Sequence, residues 1–236
     1  LCKMMYIKAM VKIGRSDLML ENVEIINANS MFDIIGKMPV RRQEEIDEYN
    51  RMEMQEKINN FHKYCGLDSD FFGATIDYEK YSLEVKKSLK QFVEKVKNGE
   101  GGFLIINGNV GTGKTSAAAA VMNELLIGTY LDMLELNLKL DSVSRFNSQE
   151  SKENYMHKLA SCRLLVLDEV GRFPDRKQEE QPILFYLMNK RFQNKRPTII
   201  CTNMTSKEFA DFMGQALIDR IRSNRIRIEL NGSSLR

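Results

Sequence analysis

A glycine-rich run that ends in lysine and threonine is the stretch of this sequence best suited to chemistry. It fits the pattern G-x-x-x-x-G-K-[ST], whose glycines let successive backbone N–H groups converge on phosphate oxygens. Lys114 would bring a full positive charge to the β- and γ-phosphates, and the Thr115 hydroxyl would take one Mg²⁺ position. The run therefore predicts binding of a nucleoside triphosphate, with ATP and Mg²⁺ as the expected ligands. The residues expected to surround the phosphates are Gly108, Asn109, Val110, Gly111, Thr112, Gly113, Lys114, Thr115 and Ser116.

An acidic pair follows the apolar residues 164–167, which are typical of a buried strand. Ligands of open α/β sheets collect at the carboxyl ends of the strands, so we expect Asp168 to lie there, beside the glycine-rich loop. Asp168 is predicted to hold Mg²⁺, directly or through water, and Glu169 to orient and polarise an attacking water. Alone this is a weak signal, since many strands end at exposed carboxylates. Together with the upstream loop it indicates hydrolysis of the bound nucleotide.

The elements that must position these residues alternate between strand and helix. The loop lies between an apolar strand, 103–106, and an alanine-rich helix, 116–122, which is the context that the pattern requires. Such alternation predicts a parallel sheet with both faces covered, here an α/β fold of the P-loop NTPase class with five strands. The expected strands are 103–106, 130–134, 164–167, 198–201 and 226–230. The other expected helices are 85–96, 136–146, 155–160 and 183–192, and two around Phe209 and Ile218.

Residues 1–62 differ in composition from the rest of the chain and are predicted to form a separate helical module with a linker. Apolar residues at helical spacing occupy the first half, and Gly36 and Pro39 break the pattern. The methionines of this region fit packing in a small helical core better than an adaptable partner surface. The charged stretch from Arg41 to Asn60 is typical of a solvated connecting helix. The nucleotide-binding domain is then expected to occupy residues 63–236.

The composition limits the choice of environment and partners. The chain has 35 Lys and Arg residues against 32 Asp and Glu residues, so its charges nearly balance. The net charge of the whole chain therefore does not predict binding to nucleic acid. A local bias lies between Arg220 and Arg236, where five arginines accompany one acid, Glu229. The four cysteines form no C-x-x-C pair, so neither a zinc site nor a disulfide framework is expected. No apolar run approaches the ~20 residues of a membrane span, which predicts a cytoplasmic protein. Residue 1 is a leucine, consistent with numbering that begins inside a longer chain.

Seven short segments follow one another in a characteristic order and spacing between about Thr75 and Arg236. They are Gly-Asn-Val-Gly-Thr-Gly-Lys-Thr at 108–115, Asn-Glu-Leu-Leu at 123–126, Leu-Leu-Val-Leu-Asp-Glu-Val-Gly at 164–171, Lys-Arg-Pro-Thr at 195–198, Thr-Asn at 202–203, Leu-Ile-Asp-Arg-Ile-Arg at 217–222 and Ser-Leu-Arg at 234–236. In these segments the chain resembles the AAA+ ATPases of the bacterial replicative-helicase loader family (DnaC-like), which includes the IstB-like helper ATPases of certain transposons. The resemblance covers about two-thirds of the chain and implies an AAA+ fold.

The resemblance also implies roles for three residues outside the loop and the acidic pair. Asn203 matches sensor 1, Arg220 matches the arginine finger offered to a neighbouring subunit, and Arg236 matches sensor 2. Without the resemblance, Asn203 is equally well a contact to the γ-phosphate or a turn residue. Arg220 alone would more often be one of several arginines on a solvated helix face.

The function implied by the resemblance is ATP-dependent loading of a hexameric replicative helicase onto single-stranded DNA. Hydrolysis at a subunit interface would release the partners, and residues 1–62 would contact the helicase. Binding to single-stranded DNA is expected to be weak and independent of sequence, and self-association to depend on ATP. A transposition helper that forms ATP-dependent oligomers on duplex DNA is the alternative. A third possibility, an adaptor that binds ATP without turnover, conflicts with the presence of Glu169.

Overall fold

Five parallel strands form the central sheet of the computed structural model, which describes residues 40–143 and 151–230. The spatial order of the strands is β2-β3-β4-β1-β5. The bounds are β1 Phe103–Gly108, β2 Thr129–Asp132, β3 Leu165–Val170, β4 Thr198–Thr202 and β5 Arg225–Leu230. The predicted α/β class and five-stranded parallel sheet are confirmed. Residues 1–39 of the module expected at residues 1–62, and the terminal Arg236, lie outside the described residues.

Helices connect the strands and cover both faces of the sheet. Within the described ranges they are α1 Val40–Tyr64, α2 Leu83–Lys97, α3 Lys114–Leu125, α4 Met133–Val143, α5 Lys152–Ser161, α6 Lys177–Gln193, α7 Ser206–Met213 and α8 Gln215–Arg222. None of these helices is both long and apolar enough to cross a membrane. The predicted alternation of strand and helix after residue 100 is therefore present.

Two apolar cores lie on opposite faces of the sheet. One packs α2 and α3 against the strands and includes Phe92 and the alanines at 117–120, which are essentially inaccessible to solvent. The other packs α4 to α8 against the opposite face and includes Leu136 and Leu187. Burial on both faces explains why residues 103–106 of β1, 165–167 of β3 and 199–201 of β4 form unbroken apolar runs instead of alternating. The small alanine side chains let the backbone of α3, which carries the phosphate loop at its start, lie close to the sheet.

Strand β3 differs from the expected strand at its carboxyl end. The sequence predicts a strand over 164–167 with Asp168 at its end, whereas β3 continues to Val170 and contains both acids. Its regular pairing with β4 is interrupted between Leu167 and Val170, and Glu169 has a φ of 55°. A left-handed residue within a strand shifts the register locally, as in a β-bulge. The strand therefore resumes after the acids, which the apolar pattern alone does not reveal.

Strand β2 is shorter than expected, because a helix begins inside the predicted strand 130–134. The Asp132 side chain accepts a hydrogen bond from the backbone N–H of Glu135 at 2.7 Å. An aspartate that satisfies a free N–H in the first turn is a typical helix N-cap, and α4 accordingly begins at Met133. The apolar Met133 and Leu134 extend the strand pattern in the sequence but belong to the helix.

The last turn of α1 and the segment after it are fastened to the sheet domain. The His62 ring stacks on Phe72, with ring centroids 3.8 Å apart, and its Nε2 lies 3.3 Å from Asn123 Oδ1. The Asn123 amide, in α3, donates to the backbone carbonyls of Phe71, Phe72 and Ala74 at 3.0–3.2 Å. The described residues from Glu53 onward accordingly belong to one compact unit. Most of α1 before Phe61 is exposed, as expected for a solvated helix.

A buried arginine joins three elements on the far side of the sheet from α3. Arg191, in α6, is fully inaccessible to solvent. Its guanidinium donates to the carbonyls of Leu159 at 2.6 Å, Cys162 at 3.1 Å and Pro197 at 2.5 Å, and its Nε to Thr198 Oγ1 at 2.8 Å. It therefore satisfies carbonyls at the end of α5 and polar groups at the start of β4.

Candidate nucleotide-binding site

The glycine-rich loop connects β1 to α3, as the sequence predicts. Gly111 and Gly113 have φ values of 82° and 87°, in the left-handed region that L-residues with a side chain rarely adopt. Gly113 is the residue at the N-terminal cap of α3, so the first N–H groups of the helix face the loop. The Thr112 hydroxyl donates to the Asn109 carbonyl at 2.9 Å and closes the turn. The loop is therefore folded for anion binding.

Lys114 folds back over this loop. Its Nζ donates to the carbonyls of Gly108 at 2.9 Å and Asn109 at 2.8 Å. Burial lowers the pKa of Lys114 from its ordinary value, and the carboxylates of Asp168 and Glu169 act in the opposite direction. The ammonium is thus held at the rim of the loop by two neutral carbonyls, which phosphate oxygens would replace with stronger, charge-assisted bonds.

Asp168 is the best-connected acid of the site. It is 1% exposed, and its Oδ2 accepts hydrogen bonds from the Thr115 hydroxyl at 2.6 Å and the Tyr130 hydroxyl at 2.9 Å. Its Oδ1 accepts the backbone N–H of Glu169 at 2.7 Å. Tyr130 was not predicted as a site residue. Burial and the adjacent Asp168 raise its pKa, so its phenol stays protonated and acts as a donor.

The donor set fits Mg²⁺. The Thr115 hydroxyl and the Asp168 carboxylate are hard oxygen ligands that the structure brings within hydrogen-bond distance of each other at the foot of the phosphate loop. Mg²⁺ in nucleotide sites is commonly held by one or two protein oxygens together with substrate phosphates and water. No group of three or more His, Cys, Asp and Glu residues in the described parts of the chain could hold a metal ion by itself, so Mg²⁺ here would need the phosphates and water as further ligands.

Glu169 follows Asp168 but points to a different partner. Its carboxylate forms an ion pair with Arg172, three residues later in the exposed turn after β3. The backbone of that turn is held by the buried Glu180, whose Oε2 accepts the N–H of Gly171 at 3.3 Å. Burial raises the pKa of Glu180, and its Oε1 has no hydrogen-bond partner among the described residues. The Glu169 carboxylate is therefore paired with Arg172 in this structure.

Two further predicted site residues, Asn203 and Arg220, are exposed to solvent. Asn203 is exposed immediately after β4, whose Thr202 hydroxyl donates to the Val170 carbonyl at 2.8 Å and so joins the ends of β4 and β3. Arg220 is exposed on α8 and donates to Asn189 of α6. The structure thus unites Lys114, Thr115 and Asp168, while the roles predicted for Glu169, Asn203 and Arg220 stay predictions.

The fold and the loop together define the class of protein. A five-stranded parallel sheet in the order β2-β3-β4-β1-β5, with the phosphate loop after β1 and the acidic pair in β3, is a P-loop NTPase fold of the AAA+ type. The family described as IstB-like ATP binding protein matches residues 26–236, and the chain belongs to this family. The predicted family is therefore confirmed, together with nucleotide binding as a property of the family.

Individual relatives share about 30% of their residues with this chain over the aligned parts. The chain is 29% identical over 206 residues to the replicative helicase loader DnaC of Escherichia coli (strain K12). The aligned region covers 83% of this chain and 81% of that protein. It is 30% identical over 158 residues to the DnaC of Buchnera aphidicola subsp. Schizaphis graminum, covering 61% and 62% of the two chains.

Solved structures share the fold. A crystal structure of the DnaC helicase loader is similar with a TM-score of 0.57 and 22% identity, over 70% of this chain and 100% of that one. The replication initiator DnaA bound to AMPPCP and single-stranded DNA gives a TM-score of 0.56 at 20% identity, over 68% and 50% of the chains. At these identities the structures support the fold alone.

Proposed function

We propose that this protein is an ATP-dependent loader of a hexameric replicative helicase onto single-stranded DNA. The observation that carries the proposal is the similarity to a replicative helicase loader over 83% of the chain, combined with an assembled phosphate loop and Mg²⁺ carboxylate. Hydrolysis of ATP at a subunit interface would then drive release of the helicase.

The residues of the site support binding and hydrolysis of ATP in a definite order. On binding, Lys114 exchanges the carbonyls of Gly108 and Asn109 for phosphate oxygens. Thr115 and Asp168 would hold Mg²⁺, which would supply positive charge to neutralise charge developing on the phosphates. Glu169 then leaves Arg172 and accepts a hydrogen bond from the attacking water, so that a lone pair of the water oxygen faces the γ-phosphorus. Glu169 takes the proton of the water as the bond to phosphorus forms and ADP leaves. Release of Glu169 from Arg172 is the step that makes the site competent.

The assembly supplies the rest of the site in this proposal. Arg220 is exposed on α8 with its guanidinium on a carboxamide and not a carboxylate, so a neighbouring subunit's γ-phosphate can compete for it. Asn203 would contact the γ-phosphate or the water from the end of β4, as sensor 1. Arg236 is proposed as sensor 2 from the sequence alone. Subunits would therefore associate in the presence of ATP.

Arg220→Ala should bind ATP as the parent does but hydrolyse it about a thousandfold more slowly, because an arginine finger stabilises charge on the γ-phosphoryl group. Since the finger acts in the next subunit, adding Lys114→Ala to Arg220→Ala should restore part of the turnover. Some interfaces would then pair an intact loop with an intact arginine. The measurement is phosphate release at fixed total protein while the ratio of the two variants is varied.

The matched control is Arg222→Ala, which removes an exposed arginine from the same helix and should leave turnover near the parental rate. A flat response to mixing, with both variants folded and associating, would exclude an arginine that acts between subunits. Arg220 would then serve its own subunit or only contact Asn189.

Helicase capture tests the proposed partner. Immobilised full-length protein with ATP and Mg²⁺ should retain a purified hexameric replicative helicase and deposit it on single-stranded DNA. We assign the contact to residues 1–62, so deletion of residues 1–52 should abolish capture. This deletion ends where the compact unit around the sheet begins and preserves Phe61 and His62, which pack on that unit. ATP binding should survive the deletion, and a truncated protein that still captured the helicase would contradict a contact through residues 1–52.

A transposition helper that assembles on duplex DNA is the second candidate. The family match favours it, since the family is named for IstB-like proteins. DNA binding measured with ATP separates the two functions, because a loader should prefer single strands and a helper duplex. In either case backbone contacts should dominate, so the affinity should be modest and should fall with salt.

A further inference from the structure

Tyr130 lies on an edge strand, yet its side chain reaches the acid at the centre of the site. Its hydroxyl donates to Asp168 Oδ2 at 2.9 Å, the same oxygen that accepts the Thr115 hydroxyl. Tyr130 is partly buried and packs against the apolar core that α2 and α3 form with the sheet. With the N–H of Glu169 on Oδ1, three donors fix the carboxylate, and Tyr130 is the one that comes from outside the loop and β3. The position of the acid therefore depends on a residue beyond the two sequence motifs.

The backbone of Tyr130 is held from the opposite side by the chain that follows α1. The N–H of Tyr130 donates to the Cys65 carbonyl at 2.7 Å. Gly66 has a φ of 82°, and a Cβ built on it would lie 2.5 Å from the carbonyl oxygen of Tyr130. Only glycine fits such an approach, so the segment covers the edge of β2 closely. The backbone of Tyr130 is thus held by β3 on one side and by Cys65–Gly66 on the other, which fixes the point from which its side chain extends to Asp168.

We propose that Tyr130 is a positioning residue of the Mg²⁺ site, acting through its hydrogen bond to Asp168. The proposal rests on the nucleotide site of the proposed function. Without the Tyr130 hydroxyl, Oδ2 keeps only the Thr115 hydroxyl, so two donors instead of three hold the carboxylate and its orientation is less restricted. Loss of a donor also makes the carboxylate more basic, which favours a cation. Loss of such outer partners nevertheless weakens metal binding, commonly 10- to 100-fold, so we expect the orienting effect to be the larger.

Tyr130→Phe keeps the ring and removes only the hydroxyl. Binding of a fluorescent ATP analogue to the full chain is followed while Mg²⁺ is titrated from an EDTA-buffered start. We expect the Mg²⁺ concentration at half-maximal enhancement of binding to rise about tenfold. Affinity in EDTA should stay within about twofold of the parent, because the loop and Lys114 are unchanged. The matched control is Tyr186→Phe, which removes an exposed phenol from α6 and should shift neither value.

The readouts distinguish a positioning role from a structural one. An unchanged Mg²⁺ midpoint in Tyr130→Phe would overturn the proposal. An equal loss of affinity in EDTA and in Mg²⁺ would also overturn it, since the hydroxyl would then support the fold and not the metal. A parental protein whose ATP affinity ignored Mg²⁺ would overturn the metal site together with this role. Helicase capture is measured separately, so its failure with an intact Mg²⁺ response would reject the loader function and leave the role of Tyr130 standing.

Discussion

Lys114→Ala should lower the affinity for ATP about a hundredfold, which corresponds to ~2.7 kcal/mol at 25 °C. The ammonium is the charged group that the structure places over the phosphate loop, 2.8–2.9 Å from two loop carbonyls. Alanine leaves the N–H groups of the loop and the start of α3 but removes the charge-assisted bonds to the β- and γ-phosphates. Isothermal titration with ATP and Mg²⁺ measures the loss directly.

The control for this substitution is Lys87→Ala, which removes an exposed lysine from α2 and should leave ATP affinity unchanged. Thermal unfolding in the absence of nucleotide checks that the loop variant is folded. Parental ATP affinity in a folded Lys114→Ala protein would be incompatible with phosphate binding at this loop.

Glu169→Gln should retain ATP and Mg²⁺ but hydrolyse ATP at least about a hundredfold more slowly. Glutamine has nearly the same shape but is no base, and a positioned general base contributes a factor of that order or more. Asp168 keeps its donors, because the Glu169 contact to it comes from the backbone N–H. Single-turnover phosphate release, compared with equilibrium ATP binding, separates the chemical step from binding.

Two further variants test the interpretation of Glu169. Glu84→Gln removes an exposed carboxylate from the first turn of α2 and should be neutral. Arg172→Ala removes the ion-pair partner of Glu169 but leaves the base, so turnover should not fall as it does in Glu169→Gln. If Glu169→Gln turned over ATP at the parental rate, another group would have to orient the water.

The parts of the fold and site that the sequence predicts correctly are those determined by local pattern. Residues 108–115 carry their own geometry, because left-handed glycines and a helix start follow one another along the chain. Apolar runs predict where β1 and β4 begin, and they place the end of β4 within one residue and the end of β1 within two. The apolar pattern does not predict the end of β3, because the left-handed backbone of Glu169, at a φ of 55°, cannot be recognised from the residue types. The helix that begins after Asp132 depends on a single cap that the apolar residues beyond it obscure.

Residues that act across the fold were missed for another reason. Tyr130 and Asp168 are 38 positions apart, and their contact depends on β2 lying beside β3. In the sequence Tyr130 is one more residue of a half-apolar strand. Only the strand order, with β2 beside β3, predicts that Tyr130 can reach Asp168. Buried Glu180 and Arg191 similarly look like members of a charged helix until α6 is packed on the sheet.

The hydrogen bonds of Arg191 determine which elements of the protein unfold together. The carbonyls at the end of α5 and the polar groups at the start of β4 have their hydrogen bonds completed by one side chain that arrives with α6. If α6 detached, those carbonyls and the guanidinium would lose their hydrogen-bond partners. Leaving buried polar groups and a charge without partners raises the free energy of the partly unfolded state. Loss of α6 alone is therefore disfavoured, and we expect α5, α6 and β4 to unfold together as a single cooperative unit.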